Sequence, residues 1–137
     1  MKIVLISCVK GKKEPPMKAK DIYKGPLFKN SLCVAYRLQP DRIYILSAKY
    51  HLLDLEQVIE PYDLTLKNFT VAEKKTWGVK VICQLQLICN IKEDEIIVLA
   101  GKDYVKPISD KITNLNIFLG NRNYGQRTAY LKSICNS

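Results

Sequence analysis

Apolar residues along the chain fall into short continuous runs rather than alternating stripes. The first is Ile3-Val4-Leu5-Ile6. Ile43-Tyr44-Ile45-Leu46 follows, then Ile96-Ile97-Val98-Leu99, then Asn116-Ile117-Phe118-Leu119, and each stops at small or polar residues. Runs of this length without a period of two are expected for strands covered on both faces. Between them the spacing turns helical. Pro26 suits a first helical position, and Phe28, Leu32, Ala35 and Tyr36 follow on one face before Pro40 ends the segment. Thr70-Val71-Ala72-Glu73 has the form of a capping box, and Trp77, Val81, Leu85 and Ile88 continue from it as the longest helix. A third helix is expected from Asp103 or Pro107 to about Thr113. A fourth starts near Asn123, with Tyr124, Leu131 and Ile134 facing the core. Strands alternating with helices predict an α/β protein: a Rossmann-like three-layer sandwich on a mainly parallel sheet of four strands or slightly more.

The 137 residues suit one α/β domain spanning 1–137. Residues 49–69 break the alternation. A connection of this length is often functional, and it is expected to fold over the sheet's carboxyl edge as a lid or substrate wall. No apolar run reaches the roughly 18 residues of a membrane span. The amino end lacks the order of a secretory signal, so a cytoplasmic protein without a membrane partner is expected. Cysteines at 8, 33, 83, 89 and 135 form no CxxC, and His51 is the single histidine, so no metal site is expected. Their odd number and irregular spacing read as reduced thiols that mostly fill the core.

The formal charge of +9 is uneven, since residues 1–30 hold eight lysines against Glu14 and Asp21. Clustered positive charge attracts phosphate, whether on a nucleotide or on nucleic acid. The alternative is a merely solvated surface.

In an open parallel sheet, ligands bind beyond the carboxyl ends of the strands, where strand order reverses. The first strand delivers Ser7, Cys8 and Lys10 to that edge. The second delivers Ser47 and Lys49, the third Gly101 followed by Tyr104. The chain has neither GxGxxG nor a GxxxxGK(S/T) loop, so a conventional dinucleotide or ATP site is not expected, and no cofactor is assigned. Cys8 is the candidate nucleophile, because nearby cations favour the reactive thiolate form of a cysteine. Lys49 or Tyr104 would handle a proton. Packing at the strand end is the bland alternative. Tyr23, within Tyr23-Lys24-Gly25-Pro26-Leu27-Phe28, and Tyr62 can stack on a base or simply pack. His51 reads as a turn residue, since histidine tolerates positive φ better than most.

Several of these segments are shared with a known group. Ile6-Ser7-Cys8 with Lys10, Tyr23-x-Gly25-Pro26-Leu27-Phe28, Ile45-Leu46-Ser47-Ala48-Lys49-Tyr50 and Ile59-x-Pro61-Tyr62-Asp63 resemble the small bacterial and phage DUF6884-like domains. Gly101-x-x-Tyr104 and Tyr124-Gly125-x-Arg127 extend the match. That group is distantly similar to YaaA-type peroxide-stress proteins, which are linked to DNA binding, and has remoter relatives beside enzymes of 7-deazaguanine modification. The resemblance implies a site containing Ser7, Cys8, Lys10, Ser47, Lys49 and Tyr62, with Gly101, Tyr104 and Arg127 near it. His51 stands where such proteins usually have glycine. Three functions follow as expectations: an enzyme handling a nucleotide, nucleobase or nucleic acid, a non-enzymatic DNA-binding module, or a scaffold domain.

Overall fold

A computed structural model describes residues 1–9 and 12–137. Strands β1 (Lys2–Ser7), β3 (Arg42–Ser47), β6 (Glu95–Leu99) and β7 (Leu115–Ile117) are parallel, and β4 (His51–Asp54) runs antiparallel to β3. The five strands lie in the order β4-β3-β1-β6-β7. The chain therefore winds first to one side of β1 and then crosses to the other, and strand order reverses between β1 and β6. A separate two-stranded ribbon pairs β2 (Met17–Lys18) with β5 (Val58–Ile59). The short helix α1 (Ala19–Ile22) follows β2.

Alternation along β1 sorts the core into two halves. Ile3 and Leu5 pack with Trp77, Val81 and Leu85 of α3 (Val71–Ile88), and with Val105 and Ile108 of α4 (Lys102–Ser109). Val4, Ile6 and Cys8 pack with Phe28 and Val34 of α2 (Pro26–Arg37), and with Leu131 of α5 (Tyr124–Cys135). This is a mixed α/β, Rossmann-like three-layer sandwich. Among the described residues, no helix is long and apolar enough to cross a membrane.

Local chemistry explains the helix starts. Thr70 accepts from the Glu73 N–H while Glu73 returns a bond to the Thr70 N–H, the capping box its sequence announces. Asn123 and Gln126 form a second box at the start of α5, with the same spacing. Gly78, in the middle of α3, has a packing role: a methyl group there would lie 2.4 Å from the Pro107 carbonyl oxygen. Glycine lets α3 and α4 approach to backbone contact.

Several expectations are corrected. The helix expected from Asp103 or Pro107 to about Thr113 spans Lys102–Ser109 and contains Pro107, which cannot donate to the Asp103 carbonyl and stands two residues before the helix ends. The last strand is Leu115–Ile117 rather than 116–119, and as an edge strand it exposes Asn116 and Ile117. Tyr36 and Tyr124, expected in the core, are exposed, because Leu27, Ser31 and Val34 form the inner face of α2, and Leu131 that of α5. Residues 49–69 hold β4, β5 and a 3-10 turn at Leu66–Asn68. Cys33 and Cys135 are not reduced thiols: they form a disulfide across α2 and α5, leaving Cys8, Cys83 and Cys89 free.

Candidate functional site

Continuous apolar strands end abruptly, so the first polar side chains after β1, β3 and β6 crowd one edge. Cys8 continues β1, its N–H donating to the Leu46 carbonyl at 3.0 Å, which fixes it beside Ser47. Its sulfur lies 3.3 Å from the Tyr104 hydroxyl. Tyr104 belongs to the first turn of α4, directly after β6, so this contact bridges the reversal point between β1 and β6. Cys8 is 6% exposed, and Tyr104 is half-buried.

A second group of hydroxyls adjoins it. The Tyr62 hydroxyl is 2.7 Å from Ser47 Oγ and 2.7 Å from the Tyr23 hydroxyl. Ser47 Oγ also accepts from the backbone N–H groups of Lys49, at 3.3 Å, and Tyr50, at 3.0 Å. A hydroxyl oxygen has two lone pairs. With both engaged, Ser47 donates to Tyr62, while either phenol can donate in the Tyr62–Tyr23 contact. These bonds hold the Ser47 side chain in place.

Burial, first of all, raises the Tyr23, Tyr62 and Tyr104 hydroxyls above the ordinary phenol range, and the adjacent Cys8 adds to it. For Tyr104, the Thr65 side chain and the Leu66 backbone pull the other way. All three phenols therefore stay protonated at neutral pH. Tyr62, Thr65 and Leu66 all come from the 49–69 segment, so that segment walls this edge of the sheet.

Aromatic packing holds the cluster. Tyr62 meets Tyr23 and Tyr50 edge-on, with centroids 6.3 and 5.6 Å apart. The Lys12 ammonium sits 4.1 Å from the centre of the Tyr62 ring. Trp77 is the positioning residue that sequence reasoning assigned only to the core. Its indole N–H donates to the Ser47 carbonyl at 2.8 Å, and its ring packs edge-on against Tyr104, 5.7 Å between centroids. One side chain thereby steadies both halves of the site. The signal was faint: a tryptophan on an amphipathic face needs a partner for its N–H.

The remaining expected residues divide. Ser7 ends β1 at the same edge. Lys49 is tied to Ser47 through its backbone, while its exposed ammonium lies 5.4 Å from the Tyr50 ring centre. Arg127 lies over Gly101, where an added methyl would be 3.0 Å from Nη1, and it donates to the Arg122 carbonyl at 2.9 Å. The close approach expected at Gly101 is thus made by a guanidinium. Lys10 lies outside the described residues. His51 has φ +68°, as its turn reading requires. Burial and then Lys80 lower its pKa below the ordinary imidazole value.

A doubly wound sheet with its polar cluster at the reversal point defines the class: a Rossmann-like α/β protein with one candidate site at the carboxyl edge. More particularly, the chain belongs to DUF6884, a family of unknown function whose model matches residues 3–133. No curated protein matches it.

Proposed function

We propose that this chain is an enzyme acting on a nucleotide, a nucleobase or a modified nucleic acid at the carboxyl edge of its sheet. The observation that carries the reading is the 3.3 Å contact between Cys8 Sγ and the Tyr104 hydroxyl at the strand-order reversal. A thiol beside a phenol suits addition to an electrophilic ring carbon of a nucleobase. The sulfur forms a bond to the carbon of a C=N group as its π bond breaks. The thiol proton passes to the Tyr104 oxygen while the Tyr104 proton passes to the ring nitrogen. Atoms and charge balance, and a phenol held protonated suits such an exchange because it never needs to ionise. Ser47, Tyr62 and Tyr23 position the pocket wall, and Trp77 aligns it.

The test combines binding with trapping. Nucleobases, nucleosides and nucleotides are screened by calorimetry, then each mixture is quenched in acid and the Cys8 peptide is weighed by mass spectrometry. At least one compound should bind and leave an adduct on Cys8. Cys8→Ser should bind it without an adduct, and Tyr104→Phe should form the adduct at least tenfold more slowly. A panel in which nothing binds would end this reading.

A further inference from the structure

Next to the carboxyl-edge cluster, the basic amino-terminal segment builds a groove of about 590 Å³ against α2. That volume is in the range of small-molecule sites. Its rim carries Lys13, Lys20, Lys24 and Lys29, with Asp21 as its one carboxylate. Lys20 is neutralised by Glu56 at 2.8 Å. Among the described residues, Lys13, Lys24 and Lys29 form no ion pair within 4.0 Å. Against these three ammoniums the rim sets Asp21 alone, which leaves the groove net positive and suited to a polyanion.

The groove also has rings. Tyr36 lines it and is 53% exposed on a helix whose apolar side chains otherwise point inward, which leaves a face for a planar group. Its floor includes Tyr23 and Phe28, packed with centroids 4.9 Å apart. Gly25, at the mouth, has φ +98° with open space where a side chain would be, and α2 begins there without a side-chain cap. The first amides of α2 add to the positive potential. Tyr23 is shared: its ring floors the groove, and its hydroxyl meets Tyr62, which bonds Ser47.

We infer that this groove binds a nucleoside polyphosphate, with its phosphates among Lys13, Lys24 and Lys29 and its base against Tyr36. The inference rests on the proposed ligand class of the carboxyl-edge site and gives that class a second contact surface. Ligand in the groove presses on the Tyr23 ring and so bears on the hydroxyls behind it.

Calorimetric titrations use four nucleoside triphosphates, inorganic tripolyphosphate, the parent nucleosides and an eight-residue oligothymidylate, at low and at moderate salt. A triphosphate should bind more tightly than its nucleoside, and more weakly as salt rises. Lys24→Glu with Lys29→Glu should weaken it at least tenfold. Tyr36→Ala should weaken the nucleotide about 5- to 100-fold, the range of one lost base–ring stack, and leave tripolyphosphate unchanged. All three positions are exposed, and an unchanged melting temperature verifies folding. The inference falls if the charge-reversed protein binds triphosphates like the original. It falls equally if tripolyphosphate matches every nucleotide, or if the oligonucleotide binds over tenfold tighter than any of them. The two proposals separate cleanly. Cys8→Ser should keep groove binding, whereas an adduct on Cys8 with wild-type affinity in the lysine variant would sink the groove alone.

Discussion

The two faces of the sheet are secured by different means. On one, the eighteen-residue α3 buries Trp77, Gly78, Val81, Ile82 and Leu85, and glycine brings it against Pro107 of α4. On the other, the twelve-residue α5 buries Leu131 alone, and it is tied to α2 by the Cys33–Cys135 disulfide. Arg37 of α2 adds a polar tie, donating to the Ile134 and Ser137 carbonyls at 2.9 and 2.8 Å. The second face is also the one that carries Cys8 and Tyr23. Cys8 and Tyr23 are themselves part of the apolar packing on that face, and the disulfide adds a covalent link where α5 buries a single side chain. The two faces are thus held by different means, so loosening one by mutation should leave the other largely intact.

Reduction of the disulfide should have the largest effect. The bond joins residues 102 apart, and links closing loops of that size stabilise by about 2–5 kcal/mol. Cys33→Ser with Cys135→Ser should lower the urea midpoint accordingly, and exchange of α5 amides should rise more than exchange of α3 amides. Equal loosening of both faces would contradict the asymmetry. Gly78→Ala attacks the other face. Its methyl meets backbone, which cannot swing aside, so α3 and α4 must separate at about 1–3 kcal/mol. Nucleotide binding by the folded fraction should survive it.

These two features were not equally legible in the sequence. The strand cores and the Thr70 box rest on contiguous residues, so local pattern was enough. The disulfide depends on two helices meeting, and neither spacing nor number of cysteines encodes that. Strand β4 is only four residues, and β2 and β5 two each, too short to carry a period. Within the site, Cys8, Ser47, Tyr23, Tyr62 and Tyr104 were each nameable as strand-end or loop residues. Which hydroxyl meets which is tertiary: Tyr62 reaches Ser47 only because β4 and β5 turn the chain back. The Trp77 link was hidden because its apolar spacing fully accounts for its position.

Trp77 is where the two faces touch, and changing it should damage both stability and site. Trp77→Phe keeps most of the ring but removes the N–H, costing the Ser47 carbonyl that bond at about 0.5–1.5 kcal/mol. Ser47 and Tyr104 should then lose alignment, so Cys8 adduct formation should slow beyond what the stability loss explains. An adduct rate unchanged at a temperature where the variant is folded would make Trp77 a core residue only.

The smallest effect belongs to His51, at the bend between β3 and β4. Left-handed backbone costs an ordinary residue about 1–2 kcal/mol, whereas glycine adopts it without that strain but loses about 0.5–1 kcal/mol of freedom on folding. By these figures His51→Gly should stabilise the fold by about 0–1.5 kcal/mol, less whatever the half-buried imidazole contributes. His51→Ala keeps the strain and loses the imidazole, and should be the less stable of the two. The pH dependence separates side chain from backbone. Burial, then Lys80, lowers the folded pKa of His51, so the unfolded chain takes up a proton first as pH falls below about 6.5. The wild type thus gains stability as pH rises through that window and loses it on acidification. The glycine variant should lack this component, so its stability relative to wild type should increase from pH 7.5 to pH 5.5. A difference that stays flat over that range would mean the imidazole is as well solvated in the fold as in the unfolded chain, leaving the left-handed turn as the sole consequence of residue 51.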